Sequence, residues 1–348
     1  KVMNGGMQVA QRRTSKSSIT SGDYYVCDRW KLGYGTAGTW TISQSTDTPD
    51  YFGNSLKLDC TSANTSLSAG SNLQIQQFFE GQDLQDVGKG GSTAKEITVS
   101  FYVKTNKTGT YIVELMDHDN SNRHCGKSYT VSNTNWNRYT LTFPADTTGA
   151  LDNNKGKSFE LGFWLVAGGT FQGSSLQETW GNLSQGSRAV GQVNLADSTS
   201  NEWLLTGVQL EIGSVATEFE HKTFAQELLA CKRYYSKSYT YDVEAGTSSA
   251  FADQIVNRYA PNDVSNRIDL GTRFEIEMRT TPTMTIYRPD NGASGNLTNY
   301  GTAEGEGSGS GVGQGTIRGL GRKGIIGFSL AASKNNSVGY HYEASAEF

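Results

Sequence analysis

Apolar and polar residues alternate through most of the first 212 positions. Period-two runs recur at Trp30–Leu32, Trp40–Ile42, Leu56–Cys60, Leu73–Phe79, Ile97–Val103, Tyr111–Leu115, Tyr129–Val131 and Tyr139–Phe143. Phe159–Val166 is a short, almost continuous apolar run, and Leu204–Ile212 returns to alternation. Side chains of a strand point alternately to its two faces, so each run reads as a strand with at least one buried face. Turn residues separate the runs, and no long helical pattern intervenes. Ten strands in this order predict an all-β fold, a jelly-roll-like antiparallel sandwich of two sheets.

The pattern changes after Ile212. Thr223 stands three residues before Gln226, the spacing of a capping box. Phe224, Leu228, Cys231 and Tyr235 then follow at i, i+4, i+7 and i+11, one face of a helix of about three turns. Period two resumes at Phe274–Ile276–Met278 and Met284–Ile286, and further strands are predicted at Ile325–Leu330 and Tyr340–Phe348. The predicted organisation is a β-sandwich over 1–221, a linking amphipathic helix over 222–236 and a smaller C-terminal β domain over 237–348. Two stretches break the rhythm. Ala167–Asn201 is a long polar link, and links of that length are usually functional or ordered by a partner. Gly301–Gly315 is nearly all Gly, Ser, Glu and Thr and reads as a flexible loop.

Composition supports the β reading. Glycine supplies 41 of 348 residues and the mean hydropathy is -0.51, as expected for many turns and well-solvated faces. A net charge of -4 with no long Lys/Arg run argues against free nucleic acid as a partner. The chain lacks an 18-residue apolar run and a signal-type segment, so membrane insertion is not expected. Cys27, Cys60, Cys125 and Cys231 lie far apart without metal-ligand spacing. They read as reduced thiols, although an even count leaves two disulfides open in three pairings.

Few constellations carry chemistry. Asp117–Asn122 offers alternating oxygen ligands, but it lacks the glycine and the distal glutamate of a calcium loop. A polar hairpin loop explains it better. His118 and His124 flank Cys125 with no further ligand nearby, too few for zinc. Glu275 and Glu277 sit opposite Phe274 and Ile276 and read as a solvated face rather than as a glycosidase pair. Nucleophile elbows, phosphate loops and zinc-protease motifs are missing. The expectation is therefore no catalytic residue, no metal and no cofactor. Trp30, Trp40, Trp164 and Trp203 lie on strands and read as core, while Trp136 reads as packing at the sandwich edge. Trp180 in the long link, with Tyr287, Tyr300 and Tyr342 in the C-terminal domain, are the candidates for stacking on a sugar.

Several stretches resemble structural proteins of tailed bacteriophages. They are Asn4-Gly5 with Gln8–Arg12, Tyr24–Trp30, Trp136 with Tyr139–Pro144, Gly191-Gln192 and Asn194–Ser198. Thr206–Glu211, Gly213–Thr217, Phe219-Glu220, Glu227-Leu228, Cys231 and Arg233–Tyr235 complete the set. The resemblance implies a sandwich similar to carbohydrate-binding modules. It also implies a non-enzymatic virion role as a tail-fibre, head-fibre, knob or capsid-decoration subunit, assembled in the bacterial cytoplasm. The partners it implies are other virion proteins and further copies of the chain, as a homotrimer. A host-glycan adhesin is the alternative, and a polysaccharide depolymerase ranks last.

Overall fold

Eleven strands build the first unit, and their facing apolar positions decide how they stack. They are β1 Ser15–Ile19, β2 Lys31–Gly35, β3 Thr39–Ser45, β4 Ser55–Ser62, β5 Asn72–Glu80 and β6 Ile97–Thr105. Then come β7 Gly109–Asp117, β8 Arg123–Val131, β9 Asn137–Phe143, β10 Lys157–Ala167 and β11 Glu202–Ile212. The computed structural model describes residues 1–248, 250, 252–258, 267–268, 271–299, 310–330 and 337–348. The chain divides into two units. The first holds Lys1–Ala10, Thr14–Glu227 and Phe348, and the second holds Gln11–Arg13 and Leu228–Glu347.

The first unit is a jelly-roll-like antiparallel sandwich. One sheet has the order β1-β3-β4-β11-β6-β9 and the other β2-β5-β10-β7-β8, with every pairing antiparallel. All ten expected strands are present. β1 was not expected, because Ser15–Ser18 are exposed and only Ile19 is buried. Between the sheets, Phe163 of β10 meets Phe101 of β6 at 5.0 Å, Trp203 of β11 at 6.1 Å and Trp30 at 6.2 Å. Trp30, Trp40 and Trp203 are fully buried here. Trp164 is equally buried, but on the outer face of the five-stranded sheet.

Some of the stretches quoted above have a physical role in this sandwich. Asn4 is buried with φ 53, and its side chain closes a local knot. Its Nδ2 donates to the Val9 and Asp28 carbonyls at 2.8 and 3.0 Å, and its Oδ1 accepts from Val9 N at 2.9 Å. Trp30 Nε1 donates to the Asn4 carbonyl at 3.0 Å. One buried amide therefore ties the first ten residues to the Tyr24–Trp30 stretch. Gly207 sits where the β11–β6 register shifts, with φ 61, and a Cβ there would lie 2.8 Å from the rings of Phe52 and Tyr102. Only glycine satisfies both the backbone and the space.

The helix α1, Phe224–Lys232, is shorter than expected at nine residues. Its capping box forms as read: Thr223 N donates to Gln226 Oε1 at 3.0 Å, and Gln226 N donates to Thr223 Oγ1 at 3.4 Å. Most of the predicted stripe is buried: Cys231 and Tyr235 are buried and Leu228 is half-buried, but Phe224 at its start is 44% exposed, and Glu227 is buried as well. Asn4 N donates to the Glu227 carboxylate at 2.6 Å, which explains an acidic residue on the inner face.

The second unit contains β12 Tyr235–Lys237, β13 Ile255–Arg258, β14 Arg267–Ile268, β15 Thr283–Tyr287, β16 Asn296–Asn299, β17 Ser310–Arg318, β18 Gly327–Leu330 and β19 Ser337–Ser345. β19 pairs with β12, β13, β15 and β16 and is the spine of this unit. The predicted strand at Phe274–Met278 is not a strand. Phe274 and Met278 are buried four residues apart, and their backbone amides bond the carbonyls of Lys323 and Arg322 rather than a ladder. In the glycine-rich stretch, residues 310–315 begin β17 instead of forming a loop, and 301–309 lie outside the described residues.

Candidate functional site

The outer face of the five-stranded sheet carries a hydrogen-bonded group of polar side chains. Register places Gly33 of β2 beside Gln74 of β5, and Lys31 beside Gln76. β10 continues these rows, with Gly162 opposite Gln76 and Glu160 opposite Phe78. β7 follows, with Glu114 opposite Gly162. Glycines in the middle of strands leave room, and amides fill it. A Cβ on Gly33 would lie 2.7 Å from Gln76 Oε1, and one on Gly162 would lie 3.1 Å from Gln74 Oε1. The two glutamines therefore lie over the glycines.

Their polar atoms form a chain. Gln76 Nε2 donates to Gln74 Oε1 at 3.3 Å and to Glu160 Oε1 at 2.6 Å. Glu160 Oε2 lies 2.8 Å from His118 Nε2, and His118 Nδ1 lies 2.9 Å from Asn122 Oδ1. Gln74 and Glu160 are buried, while Gln76, His118, Lys31 and Gly33 are half-buried. Each amide, carboxylate and imidazole is held by its neighbour, so the row presents planar polar groups in fixed orientations.

The long link covers the other end of the same face. Ala167, Ala189, Phe171 and Leu176 pack around Ile112 and Trp164. Glu114 fastens it. Arg188 donates from Nε to Glu114 Oε1 at 2.9 Å and from a terminal nitrogen to Oε2 at 2.7 Å, and Trp164 Nε1 adds a third bond at 3.1 Å. His124 Nδ1 lies 2.9 Å from Glu114 Oε1 but off line for a hydrogen bond, and its Nε2 accepts from Ser184 N at 3.4 Å. Burial alone would raise the Glu114 pKa, yet Arg188 and His124 outweigh it and hold the carboxyl below its ordinary value. The link is thus ordered by the sheet under it.

The aromatic candidates are placed as follows. Trp180 is half-buried, with Nε1 donating to the Pro144 carbonyl at 2.8 Å and its ring 5.9 Å from Phe159. Tyr342 is buried against Phe274 at 5.7 Å and offers no open ring face. Tyr287 is half-buried and donates its hydroxyl to Glu343. Tyr300 lies outside the described residues. Trp136 is half-buried and donates to Asp47 at 3.0 Å.

Asp117 turns its own loop. It accepts from the amides of Asp119 and Asn120 at 2.9 and 3.2 Å, and Lys89 fills the cation position beside it. Among the described residues no group of three or more His, Cys, Asp or Glu side chains could hold a metal. The four cysteines are buried free thiols. The polar row itself escaped sequence reasoning, because Gln74, Gln76 and Glu160 look like any solvated strand face until strand register brings them together.

No protein-family model and no curated protein matches this chain. Solved structures similar to it include the enzymatically active domain of tailspike protein 4 of bacteriophage CBA120. That likeness has 14% identity and a TM-score of 0.31, and covers 56% of this chain and only 21% of the tailspike chain. A family 11 carbohydrate-binding module from Clostridium thermocellum, in complex with a mixed-linked tetrasaccharide, is 11% identical at a TM-score of 0.30. It covers 59% of this chain and 99% of the module. A protein of Bacteroides thetaiotaomicron described as sugar-binding is 10% identical at a TM-score of 0.33, covering 61% of this chain and 98% of that one. At these scores the likenesses add nothing to the strand order above.

Proposed function

We propose that the first unit binds a polysaccharide on the outer face of its five-stranded sheet. The observation that carries this reading is the hydrogen-bonded row Gln74–Gln76–Glu160–His118 laid over Gly33 and Gly162. Sugar hydroxyls both donate and accept, and a fixed row of amides, carboxylate and imidazole answers them with little ordering left to do on binding. The two carboxylates on this face support a non-catalytic role. Glu114 is tied to Arg188 and Trp164, and Glu160 is tied to Gln76 and His118.

In this proposal the chain is a surface subunit of a tailed-phage particle, assembled as a trimer with other virion proteins on capsid or tail. The phage-like stretches support that setting. Weak single-site sugar binding would be multiplied by the many copies on a particle.

Affinity electrophoresis through gels containing bacterial surface polysaccharides tests the binding. Gln76→Ala and Glu160→Gln should each weaken retardation about fivefold, the worth of one hydrogen bond. Retardation equal to the parent in both variants would refute the site. Shortening of the polysaccharide chains would make the protein a depolymerase instead. Light scattering tests the trimer, and peptide mass spectrometry of purified particles tests the virion setting.

A further inference from the structure

The second unit carries a cationic pocket that the reading above does not use. It has a volume of about 470 Å³ and is walled by Arg273, Arg322 and Lys323 beside Gly321, Ile325 and Ile326. Arg322 and Lys323 form the tip of the hairpin between β17 and β18. Gly321 and Gly324 close that tip, exchanging backbone hydrogen bonds at 2.8 and 3.3 Å. The tip is then strapped down. Phe274 N donates to the Lys323 carbonyl at 3.1 Å, Met278 N to the Arg322 carbonyl at 2.9 Å, and Ile325 N to the Thr272 carbonyl at 3.0 Å. Gly271 and Gly324 permit this closeness, since a Cβ on either would lie 2.1 or 1.9 Å from a carbonyl oxygen of the opposing backbone. The cations are therefore presented from a fixed frame rather than from a loose turn.

Among the described residues their charges are not balanced. Glu277 takes Arg322 at 2.8 Å and Lys323 at 3.5 Å. Arg273 is exposed and has no carboxylate partner among the described residues, and Glu275 is engaged by Lys232. Among the described residues, three cations thus face one carboxylate. Ile326, 58% exposed, adds an apolar wall beside them.

We propose that this pocket binds an anionic group carried on a sugar ring, a carboxylate or a phosphate, with the ring lying against Ile326. A forked guanidinium and an ammonium on a rigid hairpin suit such an oxyanion. Only the identification of the anion as part of a surface polysaccharide rests on the function proposed above. The pocket's charge and shape stand without it.

The test is calorimetric titration of the full chain at low salt with three probes: oligogalacturonate for the carboxylate, polyglycerol phosphate for the phosphate, and neutral dextran. At least one acidic probe should bind more tightly than dextran, and moderate salt should weaken it. Arg273→Ala and Lys323→Ala should each weaken that binding roughly two- to fivefold, and Arg273→Lys should restore part of it. Glu277→Gln, which removes the competing charge, should strengthen it. Gln76→Ala should leave it unchanged, so loss of neutral-glycan binding in that variant concerns the first unit alone. Thermal unfolding confirms that each variant is folded. The proposal is overturned if neither acidic probe binds, or if binding is indifferent to both Arg273→Ala and Lys323→Ala.

Discussion

Arg188 holds Glu114 through two parallel hydrogen bonds, at 2.9 and 2.7 Å, with the carboxylate 1% and the guanidinium 12% exposed. This pair joins the long link to the sheet below it. Breaking one partner of a buried pair strands the other charge, at a cost of about 3–5 kcal/mol. Arg188→Met should lower the melting temperature strongly and open the 168–193 segment to protease. Arg188→Met with Glu114→Gln should recover much of the loss, because no charge is then left alone. The folded pKa of Glu114 lies below its unfolded value, so its contribution is present above about pH 4.5. That contribution fades as pH falls through the lower folded pKa. Unfolding curves against pH for parent and double variant should converge below that range, and parallel curves would contradict the assignment.

Much of the first unit was legible because its strands each bury one face, which writes period two into the sequence. β1 was not legible, since an edge strand of exposed Ser and Lys has no such signature. Phe274–Met278 misled for the opposite reason. Its alternation is real, but the backbone there bonds a hairpin tip, and residues four apart become the buried ones. The polar row was invisible because it needs the register of β2 against β5 and β10, and register is a long-range property. The capping box was legible because it is local.

Lys89 is 2% exposed and sits among oxygen atoms. It pairs with Asp117, reaches Asp146 Oδ2 at 3.0 Å, and donates to the carbonyls of Thr148 at 3.0 Å and Gly149 at 2.9 Å. Two carboxylates and two carbonyls are also what a hard divalent cation prefers. Lys89→Ala should destabilise the first unit by about 3–5 kcal/mol. Millimolar calcium should raise the melting temperature of that variant and leave the parent unmoved. A variant indifferent to calcium would show that the oxygens relax apart once the ammonium is gone.

The thiols should be silent in the folded protein. Burial pushes Cys27 and Cys60 above the ordinary thiol range, and it pushes Cys125 up to about 12. Thiolate is the reactive form. An aromatic disulfide reagent at pH 8 should label none of the four without denaturant and all four in its presence. Fast labelling of the native chain would show that a buried cysteine opens locally.

Trp180 has packing and hydrogen-bond partners within the first unit that predict a stabilising role. Its indole spans Phe159 and the Pro144 carbonyl, and Lys89 Nζ lies 5.4 Å from its ring centroid. Trp180→Ala should cost about 3 kcal/mol through lost packing and one orphaned carbonyl. Polysaccharide retardation measured well below the new melting temperature should be unaffected. A variant of normal stability that loses retardation would return Trp180 to the binding surface.

His341 should give the second unit a pH dependence of its own. The ring stacks on Tyr239 at 3.9 Å, Nε2 lies 2.6 Å from the Ala250 carbonyl, and Nδ1 lies 2.9 Å from Ser238 Oγ. A carbonyl only accepts, so Nε2 carries a hydrogen, and in the neutral ring Nδ1 accepts from Ser238. Burial lowers the pKa below its ordinary value, more than the Ala250 carbonyl and Asp253 raise it. The unfolded chain therefore binds a proton near pH 6.5 that the folded chain refuses. Between 6.5 and the lower folded value, the second unit should lose stability as pH falls, and above 6.5 this contribution should be complete and flat. His341→Gln should remove that slope while retaining a donor for Ala250. The measurement is tryptophan-independent: the melting of the second unit by hydrogen exchange of its β19 amides at pH 5.5 and 7.5. An equal pH slope in parent and variant would mean that some other group sets it.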